Sequence, residues 1–185
     1  MLSEDKRIKT KAQLKEYLEL EYERYPLYGR RYFSYLLQLS EGAILRRHTK
    51  LLRYTEYHMN TGHKLRAAFY WARLFKLQNK YGMHIPINCF DKGLTIFHTS
   101  THIINAKATI GKNCVLMPNT NIVGDHIYDM APVIGDNVTL GIGSTVVGNV
   151  SLADGITVGA GAVVTKSFYE PGIKIAGVPA RKISE

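Results

Sequence analysis

The sequence predicts an α+β protein: a helical N-terminal segment followed by a parallel β-solenoid with a six-residue repeat and one extruded loop. Three observations carry this. Aliphatic residues recur at every sixth position from Ile104 to Val164, composition changes abruptly near residue 82, and before that point apolar residues keep helical spacing. Residues 1–92 hold 18 Lys and Arg against 9 Asp and Glu, whereas residues 93–185 hold 6 against 6, so the whole net charge of +9 lies in the first half. Ten of the 12 tyrosines precede Gly93, and 12 of the 16 glycines lie from Gly93 onward. Two kinds of structure therefore meet near Tyr81-Gly82: a helical segment over 1–82 and a coil over 83–185.

The same arithmetic excludes several classes of protein. No run approaches the roughly 18 apolar residues of a membrane span, and the first thirty residues are too charged for a signal peptide. Cys89 and Cys114 are too few for a disulfide scaffold or a cysteine zinc site, and fit a reducing cytoplasm. The basic residues come in short pairs, such as Arg30-Arg31 and Arg46-Arg47, between apolar positions, which argues for solvated helix faces and against nucleic acid. Contact with an anionic ligand or a membrane surface is the lesser reading of that charge.

Thr10 followed by Gln13 forms a capping box, and Leu14, Tyr17, Leu18 and Glu21 then share one face of a helix from about Lys11 to Arg24, ending at Tyr25-Pro26. A second helical stretch runs from about Arg31 to Asn60 with a break near Glu41-Gly42. A third runs from His63 to Lys80, where Leu65, Ala68, Phe69, Ala72 and Phe75 keep helical spacing and Gly82 marks the stop.

The repeat places Ile104, Ile110, Leu116, Ile122, Ile134, Leu140, Val146, Leu152, Val158 and Val164 six residues apart, with one omission. Three residues after the aliphatics come Asn113, Asn119, Asp125, Asn137, Gly143, Asn149, Gly155 and Gly161, types that tolerate the left-handed backbone of a tight turn. Three such units close one triangular coil, and the aliphatics stack into a continuous core. The omission falls at Tyr128, with Ala131 at its turn position, so Gly124–Pro132 is expected to leave the coil as a loop carrying Asp125, His126 and Asp129.

This pattern resembles the left-handed parallel β-helix of the hexapeptide-repeat acyltransferases. The stretch from Gly93 to His98 with Thr99–Asn105 resembles the catalytic coil of serine acetyltransferases, and Ala176–Arg181 resembles the closing segment of hexapeptide acetyltransferases. The resemblance implies an acetyl-CoA-dependent O-acetyltransferase with His98 as the general base, no metal, and a small-molecule hydroxyl acceptor. It also implies a trimer or a multiple of one. For coenzyme A it points to Gly124, Ile142, Gly143 and Ala160, with Lys166 and Arg181 for the nucleotide phosphates.

The departures concern the acceptor. The family's aspartate that orients the histidine aligns with Met83, its amino-group aspartate with Phe97, and its loop histidine with Ala131. Asp91 or His126 is expected to orient His98 instead. With Phe97 and Ala131 lining the acceptor site, serine is expected to be a weak substrate and a sugar or other alcohol a better one. The rivals are a metal enzyme like the γ-type carbonic anhydrases, with His98, His102 and His126 as ligands, and a non-catalytic solenoid subunit.

Overall fold

A computed structural model describes residues 1–26, 40–125 and 129–183. Arg30-Arg31, the upstream half of the second helical stretch, His126 and Tyr128 lie outside the described residues. The described helices are α1 (Lys11–Tyr22), α2 (Glu41–Asn60) and α3 (Lys64–Tyr81), followed by a left-handed parallel β-helix. The Thr10–Gln13 capping box forms, Ser40 caps α2 by accepting from the Ala43 amide, and Gly82 ends α3 in the left-handed conformation at φ 70°.

The coil visits three faces in turn. One face holds β2 (Thr95–Ile96), β5 (Val115–Leu116), β8 (Thr139–Leu140), β11 (Thr157–Val158) and β13 (Lys174–Ala176), with β14 (Arg181–Lys182) antiparallel at its end. The second holds β1 (Met83–His84), β3 (His102–Ile104), β6 (Asn121–Val123), β9 (Thr145–Val147) and β12 (Val163–Val164). The third holds β4 (Thr109–Ile110), β7 (Val133–Ile134) and β10 (Ser151–Leu152). All ten repeat aliphatics are buried at 5% exposure or less, and each contributes about 1.5–3 kcal/mol by leaving water.

Register reveals where the coil departs from its period. Leu140 pairs with Val158 and Val146 with Val164, a spacing of 18 residues, whereas Ile110 pairs with Ile134 and Leu116 with Leu140, a spacing of 24. The additional six residues are the loop, closed at its base by the antiparallel bridge between Asp125 and Met130. A second departure was not visible in the hexad count. Ile96 pairs with Leu116 at a spacing of 20, so the first coil is two residues wider, and the surplus lies in the corner His98–Thr101. Six of the eight expected turn residues adopt positive φ; Gly148 does so in place of Asn149, and Asp129 rather than Asp125.

The helices and the coil share one core, in which Leu45, Leu51, Leu52, Leu74 and Leu77 pack with Met83, Ile85, Phe90 and Ile96. A buried polar clasp joins them. Arg53, fully enclosed, donates to both oxygens of Glu21, to Glu56 at 2.8 Å, and to the carbonyls of Phe90 and Asp91. Glu21 also accepts from the Leu94 amide, Glu56 from the Asn88 amide, and the Tyr25 hydroxyl bonds both the amide and the carbonyl of Ile96. Desolvation opposes the Arg53 charge, but Glu21 and Glu56 outweigh it and hold the guanidinium protonated.

On α3 the expected face is the wrong one. Ala67, Leu74, Leu77 and Gln78 are buried, whereas Leu65, Phe69 and Phe75 are exposed. The helix is apolar on two sides, and the one that meets α2 and the coil is not the one with the larger side chains.

Candidate active site

The widened corner presents His98 to solvent, and α2 meets it there. Glu41, the first residue of α2, sits where the helix dipole favours a negative charge. Its Oε2 lies 2.9 Å from His98 Nδ1, while its Oε1 accepts from the Thr99 amide at 2.7 Å and from the Thr99 hydroxyl at 3.0 Å. Partial burial raises the pKa of this carboxyl, but the hydrogen bonds from Thr99 and His98 outweigh it and hold it below the usual value. The Nδ1 of His98 is therefore assigned the proton that Glu41 accepts, which leaves Nε2 with a free lone pair.

This corrects the expectation that Asp91 orients His98; His126, the other candidate, lies outside the described residues. Asp91 is buried under α1, where it accepts from the Tyr17 hydroxyl at 2.8 Å and from the Lys92 amide. Glu41 was missed because it is 57 residues from His98, in an element that no repeat ties to the coil. The only sequence signal was a lone acid at the helix break. Met83, which the resemblance aligns with the family's orienting aspartate, is fully buried in β1.

Beside His98 a cavity of about 350 Å³ is lined by Arg24, Tyr25, Glu41, Leu45 and Phe97, among others. Phe97 is half exposed there, and the cavity also carries a cation and an anion that the sequence reading did not place. Ala131 is not part of it; it packs at the base of the loop, on the next edge of the prism. A cavity of about 930 Å³ among the helices shares no residue with the His98 cluster.

The corner holding His98 is the lowest of a stack. Above it, between the same two faces, lie the turns Met117–Thr120, Gly141–Ser144 and Gly159–Ala162. The Asn119 amide donates to Ser100 Oγ, the Gly143 amide to the Pro118 carbonyl, and the Gly161 amide to the Ile142 carbonyl. Ile142, Gly143 and Ala160 thus line one exposed edge that leads down to His98. Gly141 is required there, because a Cβ would lie 2.6 Å from the Val158 carbonyl oxygen. Gly124 and Lys166 sit on the neighbouring edge, between the second and third faces, and Arg181 on β14 at the far end.

His102 is structural. It is fully buried, with Nδ1 2.9 Å from the Thr120 hydroxyl and Nε2 3.1 Å from Ser100, and burial depresses its pKa. Among the described residues no three His, Cys, Asp or Glu side chains converge on a metal-sized site.

Residues 131–166 match the bacterial transferase hexapeptide family, defined by six repeats. The chain is 41% identical over 103 residues to the serine acetyltransferase of Buchnera aphidicola subsp. Schizaphis graminum, covering 54% of this chain and 39% of that protein. It is 33% identical over 91 residues to the mitochondrial serine acetyltransferase 3 of Arabidopsis thaliana, covering 48% of this chain and 23% of that one. The chain thus spans well under half the length of these two relatives. Its fold superposes on soybean serine acetyltransferase with a TM-score of 0.70 at 22% identity, over 93% of this chain and 69% of that one. A TM-score of 0.65 at 22% identity relates it to the Brucella abortus enzyme crystallised with coenzyme A, over 94% and 67% of the two chains. With its repeat, its matched segment and its order of helices before coil, the chain carries a hexapeptide repeat and is similar to the serine acetyltransferases in sequence and in fold.

Proposed function

We propose that the protein is an acetyl-CoA-dependent O-acetyltransferase acting in the cytoplasm on a hydroxyl carried by an amino-acid-like molecule, with His98 as the base. The observation that carries this reading is the Glu41–His98 contact at the foot of the exposed Ile142–Ala160 edge. With Nδ1–H given to Glu41, His98 Nε2 takes the proton of the acceptor hydroxyl as its oxygen attacks the thioester carbonyl. The tetrahedral intermediate collapses with cleavage of the C–S bond, and the imidazolium returns the proton to the departing thiolate. Glu41 stabilises that imidazolium and holds the ring in one tautomer, so the carboxylate lost at Met83 is supplied from α2.

Gly143 and Ala160 keep the edge slim for a pantetheine arm, and Ile142 and Ala160 offer it backbone amides. Gly124 and Lys166, on the neighbouring edge, reach the same donor only across an interface between copies, an arrangement that a trimer of parallel prisms provides.

For the acceptor, Arg24 and Glu41 in the cavity give a carboxylate and an ammonium each an opposite charge, which favours serine over the sugar-like alcohol expected from Phe97 and Ala131. The test is release of free coenzyme A from acetyl-CoA across serine, other hydroxy amino acids and sugar alcohols. A kcat/KM for serine above about 10⁴ M⁻¹s⁻¹ is expected, and preference for a sugar alcohol would move the acceptor to the other class. Absence of turnover with every acceptor would favour a non-catalytic solenoid.

A further inference from the structure

Helix α3 carries Lys64, Arg66, Arg73, Lys76 and Lys80 and no acidic residue. On the side of Lys76 and Lys80 it also directs Leu65 and Phe69 outward, exposed by 89% and 55%, whereas Trp71 and Phe75 emerge on its other flank beside Ile85–Ile87. Arg73, Lys76 and Lys80 converge with Arg47 of α2 on a groove of about 450 Å³ floored by Leu77. None of these four cations has an ion-pair partner among the described residues. Arg73 lies instead 5.3 Å over the Phe69 ring and Lys80 5.3 Å over the Tyr81 ring. Four cations gathered on one groove repel one another, and only an external anion compensates them.

The kind of anion follows from what surrounds the groove. A soluble phosphate would use the cations but gives no role to Leu65 and Phe69 in water. A second copy of the same face would bring like charge against like charge in an isologous contact. A helix with basic residues beside Leu65 and Phe69 matches instead the interface of a bilayer, where the apolar groups enter the headgroup boundary and the cations meet phosphates. We propose that this face of α2 and α3 docks the protein on an anionic lipid surface. Headgroup phosphates occupy the Arg47–Arg73–Lys76–Lys80 groove, and Leu65 and Phe69 sit at the boundary. This inference stands independently of the acetyl-transfer reading.

Co-sedimentation of the full chain with vesicles tests it. Binding is expected to phosphatidylcholine vesicles containing about a third phosphatidylglycerol, and not to phosphatidylcholine alone, with loss in high salt. Each basic side chain is worth about fivefold in partitioning at such a surface, so the exposed double variant Lys76→Gln/Lys80→Gln should bind about 25-fold more weakly. Its circular-dichroism melt should match the parent. Equal binding to neutral vesicles, or no binding, overturns the proposal. So does full competition by millimolar inorganic phosphate at constant ionic strength, which would make the groove a soluble-phosphate site. A change of molar mass by light scattering in the double variant would make the face an interface between copies, and also overturns it.

Discussion

His98 and Glu41 meet in a single contact across 57 residues, on which the proposed chemistry rests. Replacing His98 with Ala should reduce transfer by about 10²- to 10⁴-fold while leaving acetyl-CoA binding, measured by calorimetry, nearly unchanged, because the base acts on the acceptor. Near-normal turnover would place the chemistry elsewhere. Glu41→Gln should lower kcat while leaving the KM for acetyl-CoA unchanged, and Glu41→Asp should recover part of the loss. The decisive readout is the ¹⁵N spectrum of the His98 ring: the parent should hold its proton on Nδ1, whereas the Gln variant should show a mixture of tautomers. An unchanged spectrum would mean that the contact does not orient the ring.

Among the elements, what was legible in the sequence follows the range of the interaction that built it. The repeat was read almost completely, because each aliphatic meets its equivalents in the neighbouring coils and the period encodes that stacking. The extruded loop followed from Tyr128 and Ala131 in the same way. The two-residue widening at His98–Thr101 was not seen, because His98 itself falls on a multiple of six from Ile110 and masks the shift of the buried residue to Ile96. On α3 the period was right and the face was not, since periodicity cannot choose between two apolar sides. The clasp was invisible as well: Glu21 reads as one more residue on a helix face, yet it pairs with Arg53 in complete burial. Arg53→Ala should therefore leave two carboxylates enclosed without a cation and cost about 3–5 kcal/mol, a fall in melting midpoint on the order of 10 °C. Removing Lys182 from its exposed pair with Glu170 should change the midpoint very little, and a similar small loss for Arg53→Ala would show the clasp to be incidental.

For the whole molecule, two expectations concern assembly and acid stability. Light scattering should give a trimer or a multiple of one, and a monodisperse monomer at micromolar concentration would leave Gly124 and Lys166 without a role toward the donor. His48 is completely buried; desolvation above all, with His102 and Arg53 nearby, pushes its pKa down to about 3. In the unfolded chain it titrates near 6.5, so the unfolded state binds the additional proton. Stability is thus full above about pH 6.5 and falls below it, by about 2 kcal/mol from this residue at pH 5. His102, depressed in the same direction, adds to the fall. Melting curves between pH 7.5 and 5 should show it, with a shallower slope in His48→Gln; a slope that does not change would assign the acid sensitivity to other groups. The clasp has a last consequence of another kind. A β-helix ends in a rung whose free amides and carbonyls invite the next strand, and here Asn88, Phe90, Asp91, Leu94 and Ile96 have theirs occupied by Glu56, Arg53, Glu21 and Tyr25. The helices are thereby a terminator: they make the stack finite, and a chain deprived of them would carry an open template for fibre growth.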